Sequence, residues 1–70
     1  MEYYMTNEEI IRFYDIALSS ENISEVENKM DEHGYLQIFL YELSKYKYDK
    51  QIALFALQSD IEYFLDKNKN

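Results

Sequence analysis

The chain contains no proline and a single glycine, Gly34, in 70 residues. Proline and glycine are the residues that most often interrupt helices and form tight turns. Their scarcity therefore predicts α-helices joined by short connections. Because apolar residues also recur at helical spacing, we expect an all-α fold, a compact bundle of three to four short helices in one domain spanning residues 1–70. The predicted helices cover about residues 7–19, 24–33, 35–46 and 50–67.

Three helix starts carry capping signals. Thr6 and Glu9 have the spacing of a capping box, in which the two residues bond each other's backbone N–H groups. Ser24 and Glu27 repeat that spacing ahead of the second helix. Asp49 is a suitable N-cap for the last helix. These signals predict where three of the helices begin.

Gly34 suits the position just after a helix C-terminus, where a positive φ costs glycine little. It therefore predicts a break between the second and third helices. The alternative is one long helix that runs through Gly34 at a cost of about 1 kcal/mol.

The last helix contains a run that is apolar on every side, Ile52 to Leu57. Two alanines in the run favour a helix over a buried strand. All four phenylalanines fall in apolar stripes, so the sequence predicts them in the core. Four residues of the last helix recur at a 3–4–3 spacing that suits a second copy of the chain as well as an internal core. This self-association seam consists of Leu54, Leu57, Ile61 and Phe64.

The net charge is −7, from 14 acidic and seven basic residues, and it is unevenly distributed. Residues 1–42 contain ten acids against only Arg12 and Lys29. A field of this sign repels phosphate backbones and anionic lipid and attracts a basic protein. We therefore predict a partner-binding acidic face on the first two helices and their connection. Its residues are Glu8, Glu9, Asp15, Glu21, Glu25, Glu27, Asp31 and Glu32.

Catalytic and cofactor chemistry is poorly provided for. The chain has one histidine, His33, no cysteine and no glycine-rich phosphate loop. We therefore predict a protein that is not an enzyme, with no catalytic residues, no metal site and no cofactor. The basic, aromatic stretch at residues 45–50 is the one candidate for direct nucleic-acid contact, but the acidic flank disfavours it, and lysines suit a helix C-terminus.

Eight tyrosines and no tryptophan are unusual for a chain of this size. Tyrosine is enriched at protein interfaces because it offers a large area at low entropic cost. Four tyrosines fall at the N-terminus or in a connection, which makes them candidate aromatic contacts. They are Tyr3, Tyr4, Tyr46 and Tyr48.

The longest apolar run has six residues, far fewer than a membrane span needs. The N-terminal residues lack the basic start and apolar stretch of a signal peptide. The sequence therefore predicts no membrane association and a cytoplasmic location.

In size, acidity and helical content the chain resembles phage-encoded inhibitors and nuclease immunity proteins, although it carries no motif of either family. The resemblance implies a protein that binds another protein. We predict a small acidic inhibitor or modulator that docks on the basic, nucleic-acid-binding surface of a partner and occupies a site meant for phosphates. The alternative is a structural or adaptor module that forms a homodimer through the self-association seam, since a small core gains stability from a second copy.

Overall fold

The computed structural model describes residues 5–47 and 49–67, and this part of the chain forms four α-helices. They are α1 (Asn7–Leu18), α2 (Ile23–Glu32), α3 (Leu36–Leu43) and α4 (Lys50–Lys67). The predicted all-α bundle is confirmed. The bounds of α1, α2 and α4 lie within one residue of the prediction, whereas α3 ends three residues early.

The predicted caps of α1 and α4 are confirmed. The Glu9 backbone N–H donates to Thr6 Oγ1 at 3.2 Å, and the Thr6 N–H donates to Glu9 Oε1 at 3.0 Å. At the start of α4, the Ile52 N–H donates to Asp49 Oδ1 at 3.0 Å. Both caps satisfy amides that the helix itself leaves without an acceptor.

The predicted capping box at Ser24 and Glu27 is wrong. Asn22 caps α2 instead, because its Oδ1 accepts from the N–H groups of Ser24 and Glu25, at 2.9 and 3.2 Å. Asparagine is a strong N-cap, and its position two residues earlier brings Ser24 inside the helix. The Glu27 side chain bonds Lys50 rather than the helix start.

The predicted break at Gly34 is confirmed. Gly34 has a φ of 77°, and its N–H donates to the Asp31 carbonyl at 3.0 Å. The Tyr35 N–H donates to the Met30 carbonyl at 2.7 Å. These two bonds form a Schellman motif, which ends α2 and redirects the chain into α3.

The chain leaves α3 through a turn at Ser44 to Lys47 that the prediction assigned in part to the helix. Ser44 Oγ donates to the Tyr41 carbonyl at 2.6 Å, and this bond competes with the continuation of the helix. The Lys45 and Tyr46 N–H groups then bond the carbonyls three residues earlier, at 3.3 and 3.1 Å. The tighter bonding pattern ends α3 at Leu43.

One core joins all four helices, and α4 contacts each of the other three. In the part of the chain that the structure describes, twelve buried residues form the core: Phe13, Ile16, Ala17, Val26, Met30, Tyr35, Phe39, Leu43, Ala53, Leu54, Leu57 and Ile61.

The prediction that all four phenylalanines belong to the core is wrong for two of them, since Phe55 and Phe64 are 48% and 49% exposed. The run from Ile52 to Leu57 is apolar on every side, so its periodicity does not indicate which face turns inward. In the structure Ala53, Leu54 and Leu57 pack inward, and Ile52 and Phe55 face outward.

Two glutamines of α4 attach this helix to the connection between α1 and α2. Gln58 Nε2 donates to the carbonyls of Ala17 and Ser20, at 2.8 and 2.6 Å. Gln51 Oε1 accepts from the Ile23 N–H at 3.1 Å, and its amide nitrogen donates to the Glu21 carbonyl. The glutamines are seven positions apart, so both lie on one face of α4.

Candidate functional site

The predicted acids of α1 divide into one that stabilises the helix and two that face solvent. Glu9 belongs to the capping box, and the bonds from the Thr6 backbone and hydroxyl lower the pKa of its carboxyl. Glu8 and Asp15 are exposed and lie seven residues apart, on one side of α1. The exposed Ile11 lies between them in the sequence.

The predicted acids of α2 lie on two flanks rather than on one face. Glu25 accepts from Ser20 Oγ at 3.0 Å and pairs with Lys29 at 3.4 Å, and these two contacts lower the pKa of its carboxyl. Glu27 points toward α4, where it pairs with Lys50 at 3.1 Å. These two carboxylates are therefore already engaged by neighbouring groups.

Five of the eight predicted acids are exposed and take no part in the ion pairs formed by the described residues. We call these five the acidic surface: Glu8, Asp15, Glu21, Asp31 and Glu32. Asp31 and Glu32 lie in the last turn of α2, where the helix dipole disfavours negative charge. Such a position is costly for helix stability and leaves two carboxylates available to a cation from outside.

The self-association seam is directed into the core of the monomer. Leu54, Leu57 and Ile61 are at most 5% exposed, and they pack against α1, α2 and α3. Phe64 is half-exposed and meets the ring of Tyr14 edge to face, with 6.0 Å between centroids. A second copy cannot reach the three buried residues without opening the fold. On its outer side α4 exposes Ile52 and Phe55, and the sequence predicted Phe55 in the core.

A groove of about 780 Å³ opens between α1 and α3, and we call it the α1–α3 groove. Among the helix pairs of the described chain, α1 and α3 alone have no direct backbone contact. Large rings hold them apart, because Phe13 of α1 meets Phe39 of α3 at 6.4 Å between centroids. Leu57 and Ile61 of α4 line the groove from below.

The sides of the groove are largely aromatic. Tyr14 and Phe64 line it on the side of α1, and Ile38 and Tyr41 on the side of α3. Tyr41 is 44% exposed and carries the Lys45 ammonium over its ring at 5.1 Å. Nothing in the sequence indicated that Tyr41 and Phe64 would line the same groove.

Among the described residues, two bonded pairs form the polar lining of the groove. Lys45 pairs with Glu42 at 3.0 Å, and this contact raises the pKa of the lysine. Tyr46 donates its hydroxyl proton to Asp60 Oδ2 at 2.5 Å. Partial burial, followed by the bond to Asp60, raises the pKa of Tyr46 to about 12. The hydroxyl therefore stays neutral and acts as a donor at ordinary pH.

Among the four tyrosines predicted as aromatic contacts, Tyr46 lines the groove. Tyr3, Tyr4 and Tyr48 lie outside the described residues, so those predictions stay untested.

His33 caps the end of α2, where its Nδ1 hydrogen-bonds with the Lys29 carbonyl at 3.0 Å and its ring stacks on Tyr35. In the part of the chain that the structure describes, no three histidine, aspartate or glutamate residues come together as metal ligands would. Nor is any helix there both long and apolar enough to cross a membrane.

Comparisons of the chain with protein-family models, with curated proteins and with solved structures found no match. The surfaces of the chain itself therefore provide the evidence for its function.

Proposed function

We propose that this protein is a small acidic binding module without catalytic activity, which docks on the basic surface of a partner protein in the cytoplasm. The partner is one whose basic surface serves nucleic acid, and occupation of that surface inhibits or modulates it. The protein thus acts as a mimic of nucleic-acid charge. The acidic surface supports this proposal, because its five carboxylates are exposed and remain outside the ion pairs of the described residues.

Electrostatics favours a basic protein over the other partner classes. A net charge of −7 repels nucleic acid and anionic membranes, whereas it accelerates encounter with a lysine- and arginine-rich cleft. Helix geometry fixes the spacing between Glu8 and Asp15 on α1 and between Asp31 and Glu32 on α2, so each pair presents two carboxylates to a basic surface.

Charge reversal on the acidic surface tests the proposal. The test variant is Asp31→Lys with Glu32→Lys, and its matched control is Glu62→Lys with Asp66→Lys, two exposed acids of α4. Lysine suits the end of α2, so the test variant stays folded. A partner captured from the source cell is purified and titrated by calorimetry at low and moderate salt, with and without duplex DNA.

We expect a basic partner whose affinity falls with salt, about tenfold weaker binding by the test variant, and competition by DNA. The control variant should bind within about twofold of the natural chain. An acidic partner, an affinity insensitive to salt, or equal losses in both variants would contradict the proposal.

A second candidate function is an adaptor that forms a homodimer, and the exposed Ile52 and Phe55 favour it. These two residues lie one turn apart on the outer side of α4 and are each about half exposed. Light scattering measures the mass in solution. A mass twice the 8.6 kDa of the chain that falls to the monomer value in Phe55→Ser supports the dimer, whereas a constant 8.6 kDa excludes it.

A further inference from the structure

We infer that the α1–α3 groove binds an amphipathic helix that belongs to the basic partner, with apolar residues on the groove floor and a lysine or arginine against Asp60. This inference rests on the proposed function and adds a second contact to it. The acidic surface attracts the partner over a distance, and the groove recognises one segment of it.

The size and the apolar lining of the groove suit one face of a helix. Its volume of about 780 Å³ lies in the range of natural binding pockets, and its floor is formed by Phe13, Leu57 and Ile61. Tyr41 and Phe64 border it and are 44% and 49% exposed, so each has area to bury against an occupant. Helices that bind in such grooves insert apolar residues at i, i+3 or i+4, and i+7.

The charge of the groove selects a cationic occupant. Among the described residues of its lining, the charged ones are Glu42, Asp60 and Lys45, which leaves one negative charge in surplus. Lys45 already pairs with Glu42, whereas Asp60 is bonded by the neutral hydroxyl of Tyr46 and has no ion-pair partner among the described residues. A lysine or arginine of the occupant would supply that partner.

The aromatic lining favours the same occupant. Tyr14, Tyr41 and Phe64 line the groove, and Tyr41 already carries the Lys45 ammonium over its ring, as expected because an ammonium or guanidinium group is attracted to a ring face. The stem of a lysine or arginine side chain also packs on apolar surface while its charged end reaches a carboxylate. A fatty-acid carboxylate or a phosphate would meet the surplus negative charge instead.

Two synthetic peptides test the groove without the natural partner. One is an amphipathic helix of leucine and lysine, and the other has the same composition in a scrambled order that gives no apolar face. Each is titrated into the isotopically labelled chain while amide and aromatic resonances are followed by NMR. We expect the helical peptide to shift the resonances of Tyr14, Ile38 and Phe64 saturably, and to bind at least tenfold more tightly than the scrambled one.

Two further pairs of variants separate packing from charge. Phe64→Ala should weaken binding of the helical peptide about tenfold, because an aromatic contact at an interface is lost. Tyr63→Ala is the matched control, since Tyr63 neighbours Phe64 and is 69% exposed but does not line the groove. Asp60→Asn should weaken binding severalfold and reduce its dependence on salt, whereas Asp66→Asn should do neither.

The results distinguish this inference from the proposed function. Equal binding of the two peptides, with shifts confined to the acidic surface, would overturn the groove and leave the acidic surface as the docking site. Equal effects of Phe64→Ala and Tyr63→Ala on peptide binding would also overturn the groove as the binding site. The same holds if the helical peptide shifts no resonance of the chain. The proposed function is contradicted by a different result, a natural partner that is not basic.

Discussion

At the scale of single residues, Gly34 occupies a backbone conformation that other residues adopt with strain. Its φ is 77°, and a Cβ placed there meets no atom within 4 Å. Gly34→Ala therefore isolates the backbone cost, which we expect to lower the free energy of unfolding by about 1 kcal/mol in a urea titration. Gly34→Asn should lower the free energy of unfolding by less, because asparagine tolerates a positive φ. Unchanged stability in the alanine variant would show that the turn is not needed.

Tyr46 should ionise late, and the pH dependence of stability follows from that. The pKa of this tyrosine is about 12 in the folded chain and about 10 when unfolded. The folded state therefore keeps the proton longer, and stability is present below pH 10 and is lost as the pH rises from about 10 to 12.

NMR of the Tyr46 ring against pH measures this pKa directly. In Asp60→Asn the pKa should fall only part of the way toward the ordinary value, because burial is the larger cause and the bond to Asp60 the second. A pKa that does not change in this variant would mean that Asp60 has no part in it.

The sequence predicted most accurately the residues that hydrogen-bond groups close to them in the chain. The capping box of Thr6 and Glu9, the cap at Asp49 and the turn at Gly34 each involve backbone groups within five residues. Both partners of each bond are therefore close together in the sequence, where the interaction can be recognised. The start of α2 shows the limit of this reasoning. Asn22 and Ser24 are both suitable N-caps, and the structure uses Asn22. With the helix starting there, Ile23 and Glu27 contact α4, and these contacts are distant in the sequence.

At the scale of elements, α4 is attached to the end of α1 by hydrogen bonds of one side chain. Carbonyl groups at the end of a helix have no hydrogen-bond donor within the helix. Gln58 supplies the donor for the carbonyls of Ala17 and Ser20. We expect Gln58→Ala to lower the free energy of unfolding by about 1–2 kcal/mol. Gln37→Ala, at an exposed position of α3, should change it by no more than about 0.5 kcal/mol. Similar losses in both variants, measured by urea titration, would contradict this role.

The helical wheel of α4 could not be oriented from its sequence. Ile52, Phe55 and Leu57 belong to one apolar run, and the direction of the core is set by which of them meets α1, α2 and α3. The seam predicted for a second copy was the face that the monomer itself buries. Gln51 and Gln58 lie on the face that meets the connection between α1 and α2, whereas polar residues on a helix ordinarily indicate the solvent side, so the sequence carried no signal for these contacts.

At the scale of the whole molecule, surplus negative charge should make stability depend on salt. The net charge is −7, and three ion pairs are formed among the described residues. We expect the melting temperature to rise by roughly a few degrees between low salt and about 0.15 M, as repulsion among the acids is screened. Asp31→Lys with Glu32→Lys should raise it at low salt and reduce the dependence. A melting temperature that falls with salt would show that the ion pairs outweigh the repulsion.

The α1–α3 groove lies beyond what the sequence could predict. Phe13 and Phe39 were correctly assigned to the core, yet their size also keeps α1 and α3 apart, and that separation depends on how four helices meet. The polar pairs of the lining join the turn after α3 to α4, with Tyr46 and Asp60 14 residues apart. The acidic residues were visible in the sequence, but their division between engaged and exposed carboxylates required the positions of Ser20, Lys29 and Lys50.

The aromatic lining of the groove has an optical consequence. The chain contains no tryptophan, so its ultraviolet emission comes from tyrosine, and Tyr14, Tyr41 and Tyr46 stand around the groove. A tryptophan carried into the groove by an occupant would accept excitation energy from these three rings. Occupancy of the groove would then be measurable as a change in the wavelength of fluorescence emission, with no dye attached to either molecule.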